Sequence, residues 1–152
     1  MEIKVKNYLL KNPNSEQSEN ELVFIYPALQ EFKKIKTPTK VAYSIVKTIG
    51  IVEKAIKEYE KTRIAICESL CEKDEKEKPI IEKNAYKFTE ENKAEFNLKL
   101  NELLNTEITL DIFRINQSDI DNLKEINIAC YETLINNGFI NDDINKPDSP
   151  TV

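Results

Sequence analysis

Cys67 and Cys71 lie four residues apart, so on a helix their thiols share one face. Two thiolates at that spacing can form half of a tetrahedral metal site. The other half is missing: Cys130 is the third and last cysteine, and the chain has no histidine. A zinc ion would need a carboxylate to complete its shell. A radical reading of C-x3-C also fails, because no C-x-x-C completes it. The expectation is no metal, no cofactor and cysteines that act as small apolar residues in a reducing compartment. Without histidine the usual general base near neutral pH is missing too. Gly50 and Gly138 are the only glycines, which excludes a phosphate-cradling loop. No nucleotide-binding, zinc-protease or nucleophile-elbow motif is present. The chain is not expected to be an enzyme.

Three other side chains stand out as contact residues. Arg63 interrupts an apolar row on the same helix. It either pairs with a glutamate of a later helix, such as Glu102, or lays its stem along the row with its head in water, and the second is preferred. Tyr86 and Phe88 sit near a turn, where aromatics serve equally as a buried cap or an exposed partner-binding site.

One long element must position these residues. From Thr37 to Asp74 the pattern is a single helix, opened by Thr37-Pro38 as cap and first-turn proline. Ala42, Ile45, Ile49, Val52, Ile56, Tyr59, Ile66 and Leu70 recur at spacings of three and four, an a/d seam for packing along another helix. Gly50, next to Ile49, is read as a tolerated interior glycine, with a close helix crossing as the alternative. The charged run from Glu72 to Lys78, followed by Pro79, reads as a solvated turn. Ile80-Ile81 and residues 86–88 read as a small β-hairpin at the tip. Thr89 caps a second helix ending near Asn105, with Phe96, Leu100 and Leu103 as its seam.

Around this hairpin the remaining elements are short. Residues 1–10 suit a strand, and residues 108–112 a second strand paired with it at the base. Residues 11–20 read as a loop that ends in a Ser18–Glu21 capping box. A helix then covers residues 20–34. Pro27 either kinks it, or leaves 22–26 extended and begins it. Residues 118–123 suggest one helical turn, and residues 128–137 an amphipathic helix stopped by Gly138. The expected class is mainly α with minor β: a long antiparallel, coiled-coil-like helical hairpin with a small β-hairpin at the tip and a two-stranded ribbon at the base. Residues 1–140 form one domain and 141–152 a disordered tail.

The long helix would measure about 55 Å and the second about 24 Å. The second can cover only the tip half of the seam. For the base half, Ala42 to Val52, the first helix, the C-terminal helix or a second copy in a homodimer are the candidates.

Composition limits partners and compartment. The chain has 152 residues, 40% hydrophobic and 32% charged, with net charge −5. Lysines and acids are mixed along it, and nothing in their order makes the basic stripe of a nucleic-acid-wrapping surface, so nucleic acid is not an expected partner. No apolar run approaches the roughly 20 residues that span a bilayer, and the N-terminus lacks the apolar core of a signal peptide. Arg63 and Arg114 are the only arginines, and with abundant Ile and Asn they suggest an AT-rich genome.

From residue 84 onward, Asn84-Ala85-Tyr86-Lys87-Phe88, Glu90-Glu91-Asn92, Glu95-Phe96-Asn97, Leu100-Asn101-Glu102-Leu103-Leu104 and Glu107-Ile108 resemble small proteins of phages and prophages of low-GC Gram-positive bacteria. In that family the pattern "GNYKFEENEEEFNKELNELLNEEV" follows a long charged helix, and Glu72 to Glu77 corresponds to its "KKDEDG" stretch. The resemblance covers roughly residues 38–112. It departs where the family has glycines in the turn and tip, since this chain has Lys83-Asn84-Ala85. The family's function is unknown, so the resemblance implies only a phage origin and expression in the cytoplasm of a bacterial host. The functional expectation is a non-catalytic accessory protein whose partner is another protein, phage or host. An inhibitor of a host anti-phage defence system, of the anti-CRISPR kind, and a virion assembly component are the alternatives.

Overall fold

Ile3 and Val5 alternate with charged neighbours, and that alternation builds the first sheet. In the computed structural model, which describes residues 1–13, 21–120 and 125–141, β1 (Glu2–Lys6) pairs antiparallel with β4 (Glu107–Asp111). Ile3 lies opposite Leu110 and Val5 opposite Ile108, so the apolar residues of both strands share one face. The strand is shorter than the sequence suggests. Asn7 is buried; its Nδ2 donates to the Leu103 carbonyl at 2.9 Å and its N–H to Thr106 O at 3.1 Å. Those bonds turn residues 7–9 into a 3-10 turn and carry Leu10 into the core.

The first helix, α1 (Ile25–Lys33), begins later than residue 20. Phe24 is extended at φ −90°, ψ 147°, and Pro27 falls in the first turn, where its missing N–H has no partner to lose. Residues 21–23 form a separate 3-10 turn, so the helix starts just before the proline and residues 22–23 are not extended. Ser18 of the expected capping box lies outside the described residues. Ile25, Ala28, Leu29 and Phe32 are buried against α4 (Ile128–Asn136) and α2 (Thr39–Leu70).

Helix α2 has 32 residues, about 48 Å. Pro38 caps it from outside, with ψ 150°, and Thr37 is not the cap. At the other end the helix stops at Leu70, four residues before the expected Asp74, and Cys71 is extended. Backbone pairing with the α2–α3 connection ends the helix there: Glu72 N–H donates to Lys87 O at 2.7 Å and Ile80 N–H to Glu72 O at 2.8 Å. In that connection β2 (Ile81–Glu82) pairs with β3 (Ala85–Tyr86) around Lys83 and Asn84, both at positive φ. The charged run is an ordered turn. Asp74 Oδ1 accepts from the N–H groups of Lys76 and Lys78 at 2.9 and 3.0 Å, and Glu77 takes φ 60°.

The buried row of α2 keeps Ile45, Ile49 and Val52 of the expected seam and adds Val41, Thr48 and Ala55, whereas Ala42 is exposed and Ile56 half-buried. A strict a/d row suits one partner helix. Here α1, β4 and β5 (Ile115–Asn116) pack on α2 as well as α3, so the covered stripe is wider than that row. Of the base half, Ala42 to Val52, the residues Ile45, Ile49 and Val52 are buried within the chain, and Ala42 is exposed.

Helix α3 (Glu90–Leu104) is capped by Thr89, whose Oγ1 accepts from Asn92 N–H at 3.2 Å. Asn92 Nδ2 in turn donates to Leu70 O at 3.0 Å, tying the start of α3 to the end of α2. Beyond β5, Gln117–Asp119 form a 3-10 turn; the rest of the expected turn, 121–123, is outside the described residues. Asn127 caps α4, and Gly138 at φ 84° stops it. The chain then adds β6 (Ile140–Asn141), parallel to β5, a pair the sequence did not signal. Of the expected tail, 141–152, Asn141 belongs to β6, and residues 142–152 lie outside the described residues.

Candidate interaction surfaces

Cys67, Cys71 and Cys130 are buried and free, and no group of metal-ligating side chains gathers among the described residues. Burial pushes the Cys67 thiol up, and pushes Cys130 up to about 11. Cys130 Sγ donates to Ala28 O at 2.8 Å, joining α4 to α1.

Arg63 turns to its own helix. Its Nε and Nη2 both reach Glu60 Oε2, at 3.1 and 2.9 Å, and not Glu102. Burial opposes its charge, but the hydrogen bond and charge of Glu60 outweigh that and raise its pKa. Its head is thus half-covered and paired rather than free in water.

Tyr86 and Phe88 face inward. Phe88 stacks on Phe96 with centroids 4.8 Å apart. Tyr86 is half-buried, and burial together with the charge of Glu68 raises its pKa. Lys87, between them in sequence, bridges Glu82 at 3.4 Å and Glu72 at 3.5 Å. What this connection presents to solvent is Ile81, 60% exposed, with charged neighbours.

Along α2 and α3, Tyr59, Ile66, Leu70, Phe96, Leu100 and Leu103 are all only half-buried. Helix α3 buries no residue fully, and Leu98 is 61% exposed. Where this pair of helices meets the β1–β4 ribbon there is a cleft of about 250 Å³ lined by Ala55, Tyr59, Thr62, Leu103 and Ile108. Its titratable groups are Glu58 and Tyr59.

A second surface escaped the sequence reading. Tyr43, 57% exposed, meets Phe113, 46% exposed, edge to face at 6.2 Å. Lys47 Nζ lies 5.4 Å from the centre of the Tyr43 ring. Phe113 is held there by buried Thr48, whose Oγ1 donates to Phe113 O at 3.3 Å and accepts from Phe113 N–H at 3.2 Å. On the same helix Lys40, Lys47, Lys54 and Lys61 step by seven and are all exposed. The expectation that no basic stripe forms is corrected on this face: the helix collects lysines that the linear order spreads among other residues. The signal was their spacing, which becomes a face once the helix is known to be unbroken. Gly50 lies open on this helix, with nothing within 4 Å of a built Cβ, so it makes no close helix crossing.

No helix among the described residues is long and apolar enough to cross a membrane. No protein-family model, curated protein or solved structure matches the chain.

Proposed function

We propose that this chain is a phage-encoded, non-catalytic accessory protein that acts in the cytoplasm of a bacterial host by binding another protein through its α2–α3 hairpin. The observation that carries this reading is the open seam of the hairpin. In a self-sufficient pair the facing apolar residues would be sealed by a third element; here none of α3 is fully buried and Leu98 is largely exposed. Ile81, in the connection between the two helices, is 60% exposed and adds to that apolar surface. The resemblance of residues 84–108 to phage and prophage proteins supports the origin.

The test is affinity purification of the tagged chain from phage-infected cells, with crosslinks mapped by mass spectrometry. The expected result is crosslinks from residues 90–104 to one phage or host protein, lost in Leu98→Glu at unchanged melting temperature. Crosslinks confined to other faces overturn the hairpin as the binding surface. A stable dimer in light scattering that buries α3 makes the partner a second copy instead. A defence protein as partner selects the inhibitor role, and recovery of the chain in purified particles selects virion assembly.

A further inference from the structure

We propose that the outer face of α2 binds single-stranded nucleic acid, through its lysine row and the Tyr43–Phe113 pair. This surface is separate from the hairpin seam and does not depend on it.

Seven residues of an α-helix turn through two turns less about 20°, so Lys40, Lys47, Lys54 and Lys61 stay on one face over about 32 Å. Among the described residues none of the four has a carboxylate within ion-pair distance. Of the three acids of this stretch, Glu53 is engaged by Tyr26 at 3.3 Å and Glu60 by Arg63 at 2.9 Å, and exposed Glu58 stands one turn after Lys54. Residues 33–61 carry eight lysines against three glutamates, net +5; the whole chain is −5, so the remainder is −10. A polyanion is thus attracted to one stretch of the molecule and repelled from the rest.

The lysine row alone would suit any anionic surface. The aromatic pair narrows the choice. Tyr43 lies on the row, one turn before Lys47, and presents an exposed ring beside a cation. Repeated point charges that track a backbone, with an exposed ring for a base to stack on, are the parts of a single-strand site. Bases in a duplex are already stacked and would leave the rings unused. Flexible ammonium groups tolerate variable phosphate positions, whereas a fixed set of partner carboxylates is matched better by arginine forks, and this face has none.

The experiment is fluorescence anisotropy with labelled oligo-dT and oligo-U of about 20 nucleotides across a salt series. Four lysine contacts predict a log–log salt slope of about −3, falling by about 0.7 for each Lys→Gln change in the row. Tyr43→Leu should weaken binding on the order of tenfold and leave the slope unchanged. All these side chains are exposed, so circular dichroism and melting temperature should match the parent. Binding of either oligonucleotide with these dependences supports the site, and the two arms separate DNA from RNA. Three results overturn it: no binding at low salt; equal binding by the four-lysine variant; or poly-glutamate competing as well as the oligonucleotides, which makes the face a docking site for acidic protein.

Discussion

Thr48 is a polar residue in the most buried stretch of α2, and its hydroxyl serves both backbone groups of Phe113. Replacing it by valine keeps the volume but orphans a half-buried N–H and C=O. Thr48→Val should therefore cost about 1–3 kcal/mol in urea unfolding and release Phe113 from its contact with Tyr43. Thr48→Ser, which keeps the hydroxyl, should retain most of the stability. If Thr48→Val unfolds at the parent's midpoint, the two bonds contribute nothing. Cys130 makes a pH-dependent contribution. Its thiol pKa is pushed up by burial to about 11 in the folded chain against a reference value of 9.0. The folded state holds the proton where the unfolded state has lost it, so stability is full below pH 9 and falls as pH rises toward 11. At one pKa unit per 1.36 kcal/mol the loss is about 2–3 kcal/mol. Comparing the parent with Cys130→Ala across that range isolates it; parallel curves would refute it.

At the scale of elements, local chemistry read well wherever one residue type commands one conformation. Thr89 caps α3, Gly138 stops α4, and the alternation of Ile3, Val5 and of Ile108, Leu110 makes a ribbon. What depended on distant partners did not read. The register of the α2 seam was set by four packing elements rather than one, Asn7 bent the first strand by reaching α3, and β5–β6 joins segments whose two-residue length carries no pattern. The basic face was legible in the lysine spacing, but the aromatic pair needed the fold to bring residue 113 beside 43. In the α2–α3 connection Glu77 and Asn84 both adopt φ near 60°, at 60° and 62°. Only glycine takes that conformation without a steric cost. Glu77→Gly and Asn84→Gly should each raise stability by up to about 1 kcal/mol, whereas Lys83→Val, a branched residue at φ 50°, should lower it. Unfolding midpoints decide; a destabilising Asn84→Gly would contradict the turn.

For the whole molecule, the distribution of buried residues implies two levels of stability. The base gathers Ile25, Leu29, Phe32, Ile45, Val52 and Leu134, each almost wholly inaccessible. From Ile56 onward the apolar side chains of α2, and those of α3, are half-buried or exposed, with Cys67 as the buried exception. Helices of about 15 residues are marginal without tertiary cover, so this pair should open locally while the base stays folded. Native-state hydrogen exchange should find amides of residues 92–104 and 58–70 exchanging at least about tenfold faster than those of residues 45–55, a gap of 1.4 kcal/mol or more. A protein partner laid on the hairpin seam would slow the fast set and leave the base unchanged, because ligand binding adds stability only where it orders the chain. Single-stranded nucleic acid on the outer face of α2 would instead leave residues 92–104 fast. The same measurement, made with each ligand in turn, therefore distinguishes the two surfaces. Uniform protection across α2 and α3 in the free chain would show that the hairpin is sealed by itself, and would remove the basis for a partner there.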